Sequence, residues 1–331
     1  MGSDSDEMIA ASPRIVPAAF NPAWWLPGAH LQTMWPALMP RRLKLSISRQ
    51  RVELPDGDFI HVDWVGEHGP IVVVLHGLGG DSTSHYVRGM LGAITSQGWR
   101  GALMHFRGCS GVPNRLARSY HAGETGDLHT FITMLRRKEP RTPLAVIGYS
   151  LGGNVLLKWL GEQGEAVPVQ AAVAVSVPFD LANAAARVHQ GFSRVYELRM
   201  LRSLKSLILR KLAQQILPWD DNTIASIKSL REFDDRITAP LHGFRDADDY
   251  YARATCKPYL SAIVTPSLVL HAVDDPFMSP SVVPKESELS TAISFELSSH
   301  GGHVGFVAGE PWAPRYWLES RIPAFLAPHF V

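Results

Sequence analysis

Cysteine is nearly absent: two in 331 residues, Cys109 and Cys256. That is too few for a disulfide framework and suits reduced thiols in a cytoplasmic protein. Neither C-x-x-C nor H-E-x-x-H occurs, so the 14 histidines announce no metal site. An excess of charge of either sign is also lacking. With 32 Lys+Arg against 31 Asp+Glu the net charge is +1, and no basic patch is interleaved with aromatics. Nucleic acid is therefore not an expected partner. No run approaches the roughly 18 apolar residues of a membrane span. The best, at 71–75 and 171–177, have the length of buried strands. Residues 1–7 are polar and acidic and the first basic residue is Arg14, so no secretory signal is read and no integral membrane contact is expected. No G-x-G-x-x-G follows the first parallel strand, which disfavours hydride transfer, and no cofactor is expected.

What is present describes a globular chain with a large core: 46% hydrophobic and 19% charged residues. Residues 1–20 read as a disordered lead. Residues 21–42 mix Trp24, Trp25 and Trp35 with Pro22, Pro27, Pro36 and Pro40. They cannot make one regular helix and read as an arm packed on the core. Residues 43–65 alternate around Asp56-Gly57, a β-hairpin signal. Continuous apolar runs then follow at 71–75, 101–106, 144–149, 171–177, 267–273 and 293–297, with helix-period segments between them. Such strands are covered on both faces. The expectation is an α/β fold with a mostly parallel, doubly wound sheet and an antiparallel N-terminal edge.

The rhythm breaks after 171–177. Some 90 residues pass before the next strand, more than a crossover needs. The core is accordingly expected at 43–178 and 263–331, with a helical lid or cap inserted at 179–262. Within the insertion, 192–217 reads as a helix whose apolar stripe is Val195, Leu198, Leu201, Leu204, Leu207 and Ile208. Its other face carries Arg194, Arg199, Arg202, Lys205, Arg210 and Lys211. That face is either an ordinary solvated one or a surface attracted to acidic substrates or, as a weak contact, to anionic lipid.

The chemistry gathers around Gly148-Tyr149-Ser150-Leu151-Gly152, a G-x-S-x-G sequence between an apolar strand and the start of a helix. A serine in such a turn sits in strained backbone, and the residues two before and two after must be nearly free of side chain so that strand and helix can pack. The alternative is a Gly-rich turn with an incidental serine. A serine hydroxyl needs a base, and the base needs a carboxylate to hold its tautomer. In folds with this elbow the order is Ser, acid, His, at strand C-terminal ends. Asp274-Asp275 leaves the 267–273 run, and His300-Gly301-Gly302-His303 leaves the 293–297 run. Asp275 is preferred as the acid because it lies further past the strand, with Asp274 bracing the turn. His303 is preferred as the base because Gly301-Gly302 lets it swing over the sheet edge. Oxyanion donors are expected from the backbone N–H groups of Leu78, in His76-Gly77-Leu78-Gly79-Gly80, and Leu151. No Lys-Ser/Thr follows Gly80, so the phosphate-loop reading fails.

These motifs resemble the AB hydrolase 4 family, the YheT-like branch of the α/β-hydrolase superfamily. Further matches are Ala29-His30-Leu31-Gln32-Thr33, Arg107-Gly108-Cys109-Ser110-Gly111, His121-Ala122-Gly123-Glu124-Thr125, Phe233-Asp234, Ala239-Pro240-Leu241-His242-Gly243-Phe244 and Tyr250-Tyr251. The resemblance spans roughly residues 20–325 and implies the α/β-hydrolase fold, a Ser150–Asp275–His303 charge relay and carboxylic-ester hydrolysis. Short- to medium-chain acyl esters are the implied substrates. Acyl transfer to an alcohol, or phospholipase or thioesterase action, would use the same residues. A non-catalytic ligand-binding homologue would have a broken triad. Animal relatives carry an N-terminal membrane anchor that is not read here. The 107–111 and 233–244 motifs are expected to hold lid-to-core packing.

Overall fold

The computed structural model describes residues 14–41, 43–214, 217 and 219–330. One nine-stranded sheet runs β1-β9-β8-β7-β6-β4-β5-β3-β2. Its strands are β1 (Ile15–Pro17), β2 (Ser48–Glu53), β3 (Phe59–Val65), β4 (Ile71–Leu75), β5 (Arg100–Met104), β6 (Leu144–Tyr149), β7 (Ala171–Val175), β8 (Ser267–Ala272) and β9 (Ile293–Ser298). β10 (Val307–Glu310) and β11 (Ala313–Tyr316) form a separate hairpin. The helices are α1 (Ala29–Leu38), α2 (His85–Ser96), α3 (Gly126–Lys138), α4 (Leu151–Gln163), α5 (Leu181–Val188), α6 (Arg194–Leu212), α7 (Asp221–Ser226), α8 (Leu230–Phe233), α9 (Ala239–His242), α10 (Ala247–Ala254) and α11 (Leu318–Leu326).

Pairing is parallel from β1 through β5 and antiparallel for β3–β5 and β2–β3, which is the expected antiparallel edge. The uniformly apolar strands have the expected cause. In β4, Ile71, Val73 and Leu75 enter a core shared with α3 and α4, while Val72 and Val74 enter a second core against α2 and α11. Both faces are dry, so neither alternates with polar residues.

Two expectations on the N-terminal side are corrected. Residues 14–20 are not a disordered lead: Ile15, Val16 and Pro17 pair with Phe295, Glu296 and Leu297, and Phe20 packs on Phe306 and Trp317. A three-residue strand carries no readable period, and its partner lies at the far end of the chain. Residues 1–13 of that lead lie outside the described residues. The arm, read without regular helix, contains α1, with Pro36 in its last turn. There the ring removes one late hydrogen bond and the helix ends soon after.

The helices α5–α10 fall between β7 and β8. α6 is shorter than the expected 192–217 helix and differs in phase: Val195 and Leu198 are exposed, while Leu201, Leu207, Ile208 and also Lys211 are buried. By its position in the sequence pattern Lys211 belongs to the basic face. Its Nζ instead donates to Asn114 Oδ1 (2.9 Å) and to the carbonyls of Leu116 (2.6 Å) and Arg118 (2.5 Å). Desolvation brings its pKa down to about 8. Asn114 in turn donates to Asp58, and Asp58 accepts from the Arg107 guanidinium. Arg107 also forms a two-pronged pair with Asp127, at 2.8 and 2.6 Å, and reaches Asp56 at 2.7 Å. The Arg107 motif therefore begins a buried polar chain that ends on α6.

Removing the cation would strand buried carboxylates. Arg107→Met is expected to cost roughly 3–5 kcal/mol, read as a lower urea midpoint at unchanged slope. A loss below about 1 kcal/mol, the value of an exposed pair, would mean that the chain does not hold the fold.

Candidate active site

Ser150 follows β6 and caps α4 with φ 52° and ψ −118°. Positive φ strains a residue with a side chain, typically by about 1–3 kcal/mol. The turn is held by Ser150 N–H donating to the Val175 carbonyl (2.8 Å) and Asn154 N–H donating to the Ser150 carbonyl (3.0 Å). The flanking glycines are needed for close approach: a Cβ on Gly148 would lie 2.4 Å from the Gly152 carbonyl oxygen, and one on Gly152 would lie 2.6 Å from that of His76. Asn154 ties α4 outward, donating to the carbonyls of Ala122 and Ala254 and accepting from Cys256 N–H.

The loop after β4 passes beside Ser150. Gly77 N–H donates to Tyr86 Oη (2.8 Å) and Gly79 N–H to Tyr120 Oη (2.9 Å). The His76 ring spans the loop base, with Nδ1 on the Gly77 carbonyl and Nε2 on Phe106 N–H. Burial pushes His76 down to about 3, so it is neutral at physiological pH. Leu78 and Leu151 both line the cavity beside Ser150, and neither of their N–H groups has a backbone acceptor among the described residues.

Asp275 and His303 arrive from the loops after β8 and β9. His303 Nε2 lies 3.0 Å from Ser150 Oγ, and His303 Nδ1 lies 2.8 Å from Asp275 Oδ2. Asp275 Oδ1 accepts from Phe277 N–H (2.8 Å), and the Phe277 ring stacks on His303 with centroids 3.9 Å apart. The alternatives lie elsewhere. Asp274 accepts from Gly302 N–H (2.9 Å), and His300 stands outward, 3.5 Å from Asp274.

The His303 loop is braced by α1, a role no sequence signal revealed. Thr33 Oγ1 accepts from His303 N–H (2.9 Å), and the Gln32 amide both donates to and accepts from the Val307 backbone. The approach is close enough to require glycine: a Cβ on Gly302 would lie 2.5 Å from the Ala29 carbonyl oxygen, and one on Gly305 2.2 Å from that of Gln32. The Ala29–Thr33 motif is thus a clamp on the histidine loop.

A cavity of about 120 Å³ opens on Ser150 and His303, with α5, α6 and the segment from Leu230 to Thr238 supplying much of its wall. Asp234, grouped above with lid packing, belongs to that wall. It is half-buried and lines the cavity. Its carboxylate accepts from Tyr251 Oη and Thr238 Oγ1, each at 2.8 Å. Burial outweighs these bonds and raises its pKa to about 6. A π-helical turn, Asp234–Thr238, places it; such turns recur at functional sites, and no residue pattern marks one. Among the described residues no group of three or more His, Cys, Asp or Glu could hold a metal ion. No helix there is long and apolar enough to cross a membrane.

Comparison with known proteins agrees with this architecture. A family model described as the alpha/beta hydrolase fold matches residues 70–310. The chain is 46% identical over 316 residues to "Putative esterase YheT" of Escherichia coli (strain K12), covering 93% of each chain. It is 27% identical over 307 residues to "Phospholipase ABHD3" of Homo sapiens, covering 89% of this chain and 75% of that one. Among solved structures, the Pyrococcus furiosus esterase Pf2001 matches with a TM-score of 0.58 at 15% identity, over 88% of this chain and 98% of that one. At that identity the likeness concerns the fold alone.

The raised pKa of Asp234 fixes the sign of a stability effect. The folded state holds this proton more tightly than the unfolded chain, so the contribution is fully present at low pH and is lost as pH rises through about 6. Going from pH 7 to pH 5 should therefore stabilise the wild type relative to Asp234→Asn, measured by urea midpoints. Parallel shifts in both proteins would show that Asp234 is not perturbed.

Proposed function

Since this chain belongs to the α/β-hydrolase fold family, in its YheT-like branch, and is an ester hydrolase of esterase or lipase type, we propose that it works as a serine hydrolase through an acyl-enzyme formed on Ser150. The observation that carries this reading is the unbroken line from Ser150 Oγ through the His303 ring to the buried Asp275 carboxylate, at 3.0 and 2.8 Å. His303 Nε2 takes the Ser150 proton as Oγ attacks the ester carbonyl. The oxygen that becomes negative is held by the N–H groups of Leu78 and Leu151, the second lying at the positive end of α4. His303 then returns the proton to the departing alcohol. In the second half, water gives its proton to His303 and attacks the acyl carbonyl, and His303 hands that proton to Ser150 Oγ as the acid departs. Asp275 fixes the tautomer that leaves Nε2 able to accept and stabilises the imidazolium.

The names of the two relatives, an esterase and a phospholipase, support an ester bond as the target. An apolar acyl group is supported by the cavity itself, whose wall includes Leu181, Val188, Leu204, Leu207 and Ile208, and its volume of about 120 Å³ favours a chain of short to medium length. In this reading residues 179–262 are a lid that sets acyl length.

Ser150→Ala should lower kcat for p-nitrophenyl butyrate by about 10⁴-fold or more; near-wild-type turnover would sink the mechanism. A series from acetyl to palmitoyl esters should peak at short to medium length, and a palmitoyl optimum would overturn that assignment. Thr33→Val removes the acceptor for His303 N–H. Its kcat should fall about 10- to 100-fold with little change in KM, and an unchanged kcat would show that the α1 clamp does not position the base.

A further inference from the structure

Helix α6 has two unlike faces. Its inner face, with Met200, Leu204, Leu207 and Ile208, lines the cavity over Ser150. Its outer face carries Val195, Leu198 and Leu209, which are 53%, 53% and 38% exposed. Among them stand Arg194, Arg199, Arg202, Lys205 and Arg210. The one acidic residue of the helix, Glu197, is turned inward, accepting from Leu230 N–H (2.9 Å) and bonded to His189 (2.8 Å). Among the described residues none of the five outward cations is in an ion pair. Lys205 donates to the Ala225 carbonyl and Arg210 to Ser206 Oγ. Glu232, the carboxylate that feels Lys205, is committed to Arg236 and to Lys228 N–H.

Beside this face runs a groove of about 970 Å³ between α6 and residues 225–228, with Leu198, Leu201, Leu209 and Ile227 in its walls together with Arg194, Arg202 and Lys205. Phe192, 50% exposed, precedes the helix and sets its ring against His30 and Tyr196, apart from the groove. An ordinary solvated face mixes charges of both signs and avoids clustered leucines. Interleaved leucine and arginine with no carboxylate in the groove lining match an anionic interface, Asp81 standing only at the far edge beside Arg210: the apolar groups enter the acyl boundary while the cations meet phosphate. A polyanion such as RNA would use the cations and leave the leucines in water.

We propose that the outer face of α6, with its groove, docks on an anionic lipid surface and so sets the cavity roof against the phase in which acyl esters dissolve. The docking goes beyond the serine-hydrolase reading and does not depend on it. Flotation with vesicles of equimolar phosphatidylglycerol and phosphatidylcholine, against pure phosphatidylcholine, tests it on the whole protein. The wild type should bind the anionic vesicles and not the neutral ones. At about 1 kcal/mol per basic residue near the surface, roughly five-fold each, Arg199→Glu with Arg202→Glu should weaken partitioning at least ten-fold. Leu198→Ser with Leu209→Ser should weaken it several-fold. Neither pair touches the cavity, so hydrolysis of soluble p-nitrophenyl butyrate should stay unchanged in both. Four results would each overturn the proposal: no wild-type binding to anionic vesicles; equal binding by the charge-reversed variant; indifference to the leucine changes, which marks a polyanion site; or a solution dimer that the leucine changes dissolve while vesicles are ignored. Vesicle binding that persists in a protein inactive on esters would sink the hydrolase reading alone.

Discussion

The 3.0 Å contact between His303 Nε2 and Ser150 Oγ joins groups 153 residues apart, and both ends stand on strained backbone. Ser150 has φ 52°, and past His303 both Val304 (φ 58°) and Phe306 (φ 46°) are left-handed. Strained segments relax unless their surroundings over-determine them, so much of the surrounding structure can be read as restraint on these two loops. The elbow is restrained from the sheet, through the Val175 carbonyl, and from α4. The histidine loop is restrained from three directions: Asp274 on Gly302, Thr33 on His303 and Gln32 on Val307. Ser176, itself at φ 51°, accepts the Val304 N–H and couples the end of β7 to the same loop. A displacement of about 1 Å at either end would break a hydrogen bond on which proton transfer depends.

A second set of restraints is ionic and buried. Taking Arg107, Asp58, Asp127 and Lys211 out of water is costly, and the cost is offset only because each makes two or more hydrogen bonds within the cluster, Asp127 both of its bonds to Arg107. The benefit is directional. Arg107 follows β5, Asp127 opens α3 and Lys211 sits near the end of α6, so the chain pins one end of that helix to the core. Toward the other end, Tyr196 bonds to His30 (3.1 Å) and packs on Phe277, which stacks on His303. The helix that walls the cavity is therefore tied at one end to a rigid polar cluster and at the other to the aromatic neighbours of His303.

What could be read from the chain and what could not divides along physical lines. Strands buried on both faces announce themselves as continuous apolar runs, which is why β4 and β6–β8 were legible and why the loop bearing Asp275 could be placed at a strand end; β9 alternates instead, with Ser294 exposed and Glu296 half-buried, and its apolar Ile293, Phe295 and Leu297 place the His303 loop. The elbow was legible because sterics dictate its glycines. Ser48–Glu53 and Phe59–Val65 were legible as a hairpin because one turn, Asp56-Gly57, sets both. β1 is too short to have a period, and its partner, β9, is reached only through the fold. α1 was obscured by its own prolines, although a proline in the last turn costs little. Asp234 could not be assigned because its meaning depends on a π-helical turn and on Tyr251 and Thr238, partners that no spacing rule connects.

The phase of α6 is hidden in its sequence. A helix between core and water normally shows one apolar stripe, and Val195, Leu198, Leu201, Leu204, Leu207 and Ile208 can be fitted to one. The observed helix turns Leu201, Leu207 and Ile208 inward and leaves Val195 and Leu198 outward, while Glu197 and Lys211 go inside. Leucine on both sides defeats a periodicity argument because the pattern assumes that only one side avoids water. The inward polar residues have a local cause: Glu197 satisfies the free N–H of Leu230 at the start of α8, and Lys211 satisfies the carbonyls of Leu116 and Arg118. The outward leucines have no such partner among the described residues. With the inward side accounted for by cavity and core, the unexplained hydrophobicity of α6 lies wholly on the face whose cations are in no ion pair among the described residues.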